Sequence, residues 1–518
     1  MNDDNHPQAP QDPGSGPAAD GIPTYQPPPP PTPVGGQSST PNPPGPPSEP
    51  RWANVPPVPR GQRRRRTAVT VTVTAAVVLV GIAAGIFFTR PSATPVAAAA
   101  TLSNSGPDLR QGGVFYASNA TSGNEVAAFV RASDGTLTRV GTYPTGGTGS
   151  GSFEDSSNSM LVGNPEGAID PENPNITPEF VFTVNAGSGS ISVFRIEKRS
   201  LKLVDQVSSG GQKPVSLAVH DGILYVLNSG EFENRLFLYN GLQPVGATEN
   251  CTTGQLPTID GFRVDRQGHL TQIVGSNRLL SNIAYSGCAQ VSISPDGSAV
   301  IVSQRDAGKP AAGFPKGNFE VFPLRADGTT GDPTPVTPTG NGPFGFTWAD
   351  DHTVVVSEQN GGFVDTLGGQ TNAYSWDGNN LALTANGPAV RTHTTDPCWI
   401  AITAKNSGGP QIAYVSGFEG TVSSFALGPN GQLSQLHVQA TAPDGETIAQ
   451  GGMPEGETDV ALSRDSRFLY VDNSETGSLY AFRTVPNGTL VLVKKYDVFN
   501  VPSVPDGGQF NQVGMAAF

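Results

Sequence analysis

The chain has 518 residues, 64 of them Gly and 48 Pro, and only 14% are charged. That balance suits turn-rich β structure with long polar connections and excludes a helical bundle. The formal net charge of −14 excludes a nucleic-acid-binding surface, which needs clustered Lys and Arg to neutralise phosphates. Length alone allows either several average domains or one large all-β unit.

In chain order, residues 1–60 come first, with PPPPPTP, PNPPGPP and few large apolar side chains. Such a segment buries too little surface to offset its ordering entropy, and it predicts a disordered, proline-rich cytoplasmic tail with polyproline II character. Residues 61–89 hold the basic run Arg63–Arg66 and then TAVTVTVTAAVVLVGIAAGIFF, Thr67–Phe88, uncharged and long enough to cross the hydrocarbon core as a helix. Positive charge on its N-terminal flank keeps that flank cytoplasmic, so the rest of the chain is expected outside, with the membrane as a partner through this one helix. A cleaved signal peptide is the rival reading, given the small residues Ala98–Ala100. Residues 90–111 form an Ala/Pro/Ser linker, and 112–518 the globular part.

Within 112–518 one pattern recurs: a β-branched or aromatic run ending in Asn or Ser, a small-residue turn, then an alternating strand. The copies end at Asn119, Asn185, Asn228, Ser303, Ser357, Ser416 and Asn473, about 59 residues apart on average. Their second strands are VAAFV, ISVFRI, LFLYN, FEVFPL, NAYSW, VSSFAL and LYAFR. Alternation on both sides of a Gly/Ser/Asn turn is a hairpin signature. An apolar strand precedes each hairpin, as in QVSISPDG, and an Asp-Gly or Asn-Gly turn with a short strand follows, as in VPNGTLVLV. Four strands per repeat predict an all-β, seven-bladed β-propeller. The first repeat lacks an inner strand, and Gln512–Phe518 remain after the last, so this C-terminal segment is expected to close the ring and remove two sheet edges.

Units of the form SPDG…YVxN…GSxSxFxx…DGxL resemble the lactonase-like propellers, the family of seven-bladed 6-phosphogluconolactonases and carboxymuconate cyclases. The phrases SGGQKPVSLAVHDGILYVLN, GPFGFTW, DPCWIAIT and DVALSRDSRFLYV are most similar to its exported bacterial branch. The resemblance implies a site in which a Pro-Arg-His segment opens an inner strand and a Glu follows the next strand. Here Pro343-Phe344-Gly345 and Glu358 stand at those places, so Glu358 is the catalytic candidate while Phe344 and Gly345 replace the Arg and His. Without them the cation and the proton shuttle are missing. Three readings follow: a propeller that binds an envelope ligand or protein, a lactone hydrolase, or a muconate-type cyclase.

Strand ends at the channel mouth supply the binding candidates: Arg305 and Asp306, His393 and Asp396, Glu419, and Glu457 with Asp459. Each has the alternative of being a solvated loop charge. HExxH, CxxC, P-loop and GxSxG motifs are absent, the Gly-rich stretch 141–152 lacks a following helix, and DPENPN at 170–175 lacks EF-hand spacing. No cofactor and no metal site is expected, and the chain is expected to be a monomer. Of the three cysteines, Cys288 and Cys398 open inner strands two blades apart, too far to bridge. The expected disulfide is Cys251 to Cys288, pinning an insertion in the third repeat, with Cys398 buried outside it.

Overall fold

The computed structural model describes residues 108–151, 157–169, 175–230, 238–240, 243–245, 257–280, 286–306, 317–360, 368–394, 397–405, 409–417, 420–437, 459–474, 476–499 and 514–518. The expected tail and the expected span at 67–88 lie outside these residues. Among the described residues no helix is long and apolar enough to cross a membrane.

The described chain is almost entirely antiparallel β, arranged as seven four-stranded blades. Their innermost strands are Met515–Ala517 for blade 1, Met160–Asn164 for blade 2, Pro214–His220 for blade 3 and Ser286–Ile293 for blade 4. Pro343–Asp350, Pro397–Ile402 and Val460–Leu462 serve blades 5, 6 and 7. Blades 2 and 3 are joined at one edge by Gly167–Ala168, which pairs with both Gly163–Asn164 and His220. The closing strand pairs antiparallel with Gly113–Ala117, setting Val114 opposite Ala517 and Tyr116 opposite Met515. Ring closure by the C-terminal segment is therefore as the sequence implied.

Burial explains the repeat. Second strands such as Ile223–Asn228 and Phe468–Asn473 are buried at every position, because both faces of a blade are covered by its neighbours. They accordingly read as continuous apolar runs. Outer strands such as Leu201–Ser208 are exposed or half-buried at all but one position and read as more polar. Seven apolar clusters fill the seven gaps between adjacent blades, from Phe115, Val162 and Phe194 between blades 1 and 2 to Tyr116, Tyr470 and Leu479 between blades 7 and 1. Leu109, assigned by sequence to the linker, is buried in the first of these gaps. The Asp-Gly turns also serve packing: Gly135 has φ 87°, and a Cβ there would stand 2.3 Å from the Phe468 ring of blade 7.

One assignment changes. LFLYN is not the third strand of blade 3; that strand is Thr258–Val264, paired with Ile223–Asn228. Leu238–Asn240 instead pairs with Gln243–Val245 as a separate hairpin. Asn240 pairs with Gln243 across Gly241-Leu242, and a two-residue connection that begins with Gly suits a tight hairpin, so Leu238–Asn240 pairs with its immediate successor rather than with the blade.

Polar ties cross the gaps where inner strands begin. Blades 4, 5 and 6 each have a β-bulge at the start of the inner strand, between Cys288 and Gln290, Pro343 and Phe346, and Pro397 and Ile400. Ser357 Oγ accepts from Gly345 N at 3.0 Å and donates across the gap to Cys398 O at 2.6 Å. Ser303 Oγ repeats this one blade earlier, accepting from Gln290 N and donating to Phe344 O at 2.6 Å. Replacing Ser357 by Ala leaves the Gly345 amide and the Cys398 carbonyl without this buried partner. The expected loss is about 1–3 kcal/mol, read as a lower denaturant midpoint with an unchanged slope.

Candidate functional site

The face at which inner strands begin and second strands end carries the candidates. Strand register places one position in equivalence across six blades: Asn185, Asn228, Gln304, Glu358, Gly417 and Asn473, on the second strand, each stand opposite the first residue of the third. The asparagines here tie strands together. Asn185 donates to Ser190 Oγ at 3.1 Å and Ser192 Oγ at 2.8 Å, and Asn228 donates to Ser209 O and Asp260 Oδ2, both at 3.2 Å.

Glu358 occupies this tying position. It is fully buried, and its Oε1 accepts from Gly340 N at 3.2 Å and from the Tyr374 hydroxyl at 2.5 Å. Burial, reinforced by the adjacent Glu358 carboxylate, holds the Tyr374 phenol well above its ordinary pKa. A Cβ on Gly340 would lie 2.0 Å from Glu358 Oε2, so that loop glycine is what leaves room for the carboxylate.

The neighbouring positions are closed. Phe344 is fully buried and packs edge-on against Trp399, ring centroids 5.6 Å apart. A Cβ on Gly345 would lie 2.2 Å from Cys398 O, so no imidazole fits where the resemblance implies one.

Arg305 is buried and lies on the same strand face as Ala299, Ile301 and Ser303, turned toward blade 5. Glu358 shares its strand face with Val354 and Val356, which pack from the other side of that gap. Asp306 ends the Arg305 strand opposite Ser286, and its side chain is outside the described residues. His393 is exposed in a loop with φ 56°. Asp396, Glu419 and Glu457 lie outside the described residues. Asp459 is buried at the other side of the ring, in the seam between blades 7 and 1. The described candidates thus fall into two separate inter-blade gaps, with His393 in neither. No group of three or more His, Cys, Asp or Glu among the described residues is placed to hold a metal.

Two features were missed in sequence. One is a cavity of about 130 Å³ within the expected central channel, lined by Met160, Ile400, Ile402, Val460, Met515 and Arg464. A second of about 120 Å³, sharing Asn158, Leu161 and Thr347 with the first, reaches His220 and Trp348. Partial burial holds the His220 imidazole below its ordinary pKa despite Asp221 and Asp296, so it is neutral at neutral pH. These walls, apolar side chains interrupted by Arg464 in one and by His220 and Gln290 in the other, suit a small guest with both apolar and polar groups. The other is Asp472, fully buried beside Asp459, whose amide donates to Asp472 Oδ1 at 2.6 Å. The sequence signal was there: LYVDN carries Asp where VIVS, VVVS and AYVS carry Ser. Burial raises both carboxyls above the ordinary aspartate range, and each raises the other's cost of ionising. Cys288 is disulfide-bonded, whereas Cys398 is buried outside a disulfide; Cys251 lies outside the described residues.

Comparison with known proteins agrees with this geometry. The model of the lactonase family, described as a seven-bladed β-propeller, matches residues 310–502. No curated protein matches the chain. Among solved structures, a protein of Lactobacillus plantarum is 16% identical, with 78% of this chain and 99% of that one covered and a TM-score of 0.50. A hypothetical selenium-binding protein of Sulfolobus tokodaii is 11% identical, with 80% and 94% covered and a TM-score of 0.51. The periplasmic gluconolactonase PpgL of Pseudomonas aeruginosa is 18% identical, with 78% and 99% covered and a TM-score of 0.48. At such identities the likeness is one of fold alone. The described residues form a seven-bladed β-propeller, and within it residues 310–502 match the lactonase family.

Proposed function

We propose that this chain is a membrane-anchored, outward-facing propeller that binds a ligand or protein at the cell envelope, on a lactonase-type frame whose catalytic motif has become structural. The observation that carries this reading is the packing at Phe344 and Gly345: one ring lies against Trp399, and the other position has no room for a side chain. Hydrolysing a ring ester calls for a group that holds the oxyanion and one that moves its proton. Glu358 by itself, spent on Gly340 and Tyr374, supplies neither. The outward placement draws support from the disulfide at Cys288, since disulfides persist in oxidising compartments, and from Arg63–Arg66 ahead of the apolar run. The hydrolase or cyclase reading keeps one observation of its own, the shared inter-blade gap of Arg305 and Glu358.

The purified full chain is expected to give no turnover above background on a panel of sugar and aromatic lactones. Turnover that vanishes in Glu358→Gln would instead establish a hydrolase with a rebuilt site. As a structural tie, Glu358 shows itself in stability: Glu358→Ala is expected to cost about 2–4 kcal/mol, and Glu358→Gln clearly less, since its amide oxygen still accepts from Gly340 and Tyr374. Denaturant unfolding of both variants measures this. Protease added to intact cells is expected to digest the propeller while sparing the proline-rich tail; the reverse pattern would contradict the orientation.

A further inference from the structure

The ring closes where the C-terminal strand docks between blades 7 and 1, and two carboxyl groups sit in that seam. Asp459 precedes the inner strand of blade 7; its Oδ1 accepts from Val460 N at 2.7 Å and its Oδ2 from Met515 N, in the closing strand, at 3.0 Å. Asp472 lies on the second strand, with Oδ1 accepting from Asp459 N and its own amide donating to Asp459 O at 3.1 Å. Asp472 Oδ2 is buried and makes no close hydrogen bond among the described residues, although the amide of Gly514, just before the closing strand, is directed at this carboxyl. By register, Asp472 holds in blade 7 the position held by Ser303, Ser357 and Ser416 in blades 4 to 6. The hydroxyls of Ser303 and Ser357 bond the next blade's inner strand across the gap. A neutral donor has thus been replaced by a carboxyl at the seam that the chain terminus must close.

We propose that Asp459 and Asp472 together carry at most one negative charge, Asp472 keeping a proton on Oδ2, and that this absence of a second buried charge holds the closing strand in place, so that ring closure loosens when the proton is lost. No cation pairs with either carboxyl: Arg464, which follows the inner strand of blade 7 and lines the channel, donates instead to Ile176 O at 2.6 Å. Val460–Leu462 and Met515–Ala517 contain no titratable side chain. The second strand adds Tyr470, whose hydroxyl is directed to Gly135 O. The third adds Tyr480, which lies under Lys495, and the exposed Arg483. Blade 1 adds Tyr116, whose hydroxyl donates to Asn473 O at 3.3 Å, and the partly exposed Glu125. The exposed Asp497 accepts from Ser478, and blade 6 presents Cys398. None of the ion pairs among the described residues involves either carboxyl. Two adjacent buried carboxylates without a cation cannot both ionise cheaply.

The sign follows from proton counting. Burial raises these groups above the value of an unfolded aspartate, so the folded ring holds a proton that the unfolded chain has released. This hold on the closing strand is complete below about pH 4 and is lost as pH rises toward and through neutrality. Carboxylates elsewhere with lowered pKa, such as Asp350 beside Lys405, act in the opposite sense. The informative quantity is therefore the difference between wild type and variant.

The test is hydrogen exchange of the full chain, corrected for intrinsic rates, at about pH 5 and about pH 8. Protection of the closing strand and of its partner Gly113–Ala117 is expected to fall by about tenfold or more in the wild type, and to stay level in Asp472→Asn and in Asp472→Ser. A flat wild-type profile, or the same pH dependence in Asp472→Asn, overturns the proposal. Should neither variant fold, the wild-type profile decides by itself. Millimolar calcium that restores protection at the higher pH in wild type but not in Asp472→Asn also overturns it, in favour of a cation site.

Discussion

Everything in this molecule depends on one pairing, that of Val114–Tyr116 with Met515–Ala517. A blade has two apolar faces, and each is buried only if both neighbours are present. An open arc would leave two faces and two sheet edges in water. Closure removes both at once, and it is made by three residues drawn from the end of the chain. Each of the seven apolar clusters spans a gap between two blades, so cohesion between blades is what the core consists of.

That architecture constrains the site. Bulges at the starts of the inner strands turn backbone amides and carbonyls out of the ladder, and buried side chains must satisfy them. Ser303, Ser357 and Gln290 do so, the last through both Phe346 N and Phe346 O, at 2.8 and 2.6 Å. The positions nearest the expected catalytic centre are therefore committed to holding blades 4, 5 and 6 together, and Glu358 is committed with them. Among the described residues the channel remains open, with Met160, Ile400 and Met515 beside Arg464 on its wall.

The repeat was legible because burial on both faces of the second strands forces continuous apolar runs, and turn chemistry marks their ends. Ring closure was legible because a missing first strand and a surplus last one can be counted. Blade 3 was misread, since LFLYN has strand-like alternation and only pairing distinguishes Thr258–Val264 from it. The hydrogen bonding of Glu358 was hidden for a different reason. The repeat was aligned on Ser303, Ser357 and Ser416, whereas register equates the next residues, Gln304, Glu358 and Gly417, with the tying asparagines. A Glu one place past the pattern reads as chemistry. Its burial is set by Gly340 and Tyr374, which nothing local in the sequence connects to it. Asp472 could have been found as the single carboxylate among those serines, but its pairing with Asp459 is a tertiary fact.

The most direct test of this account is to delete Gly514–Phe518 from the full chain and follow equilibrium unfolding in denaturant. If closure by this strand underlies the whole ring, the deletion abolishes the single cooperative transition, and protection in blades 1 and 7 is lost first. A truncated chain that unfolds cooperatively at the wild-type midpoint would show that the blades cohere without closure, and the account would be wrong at its foundation.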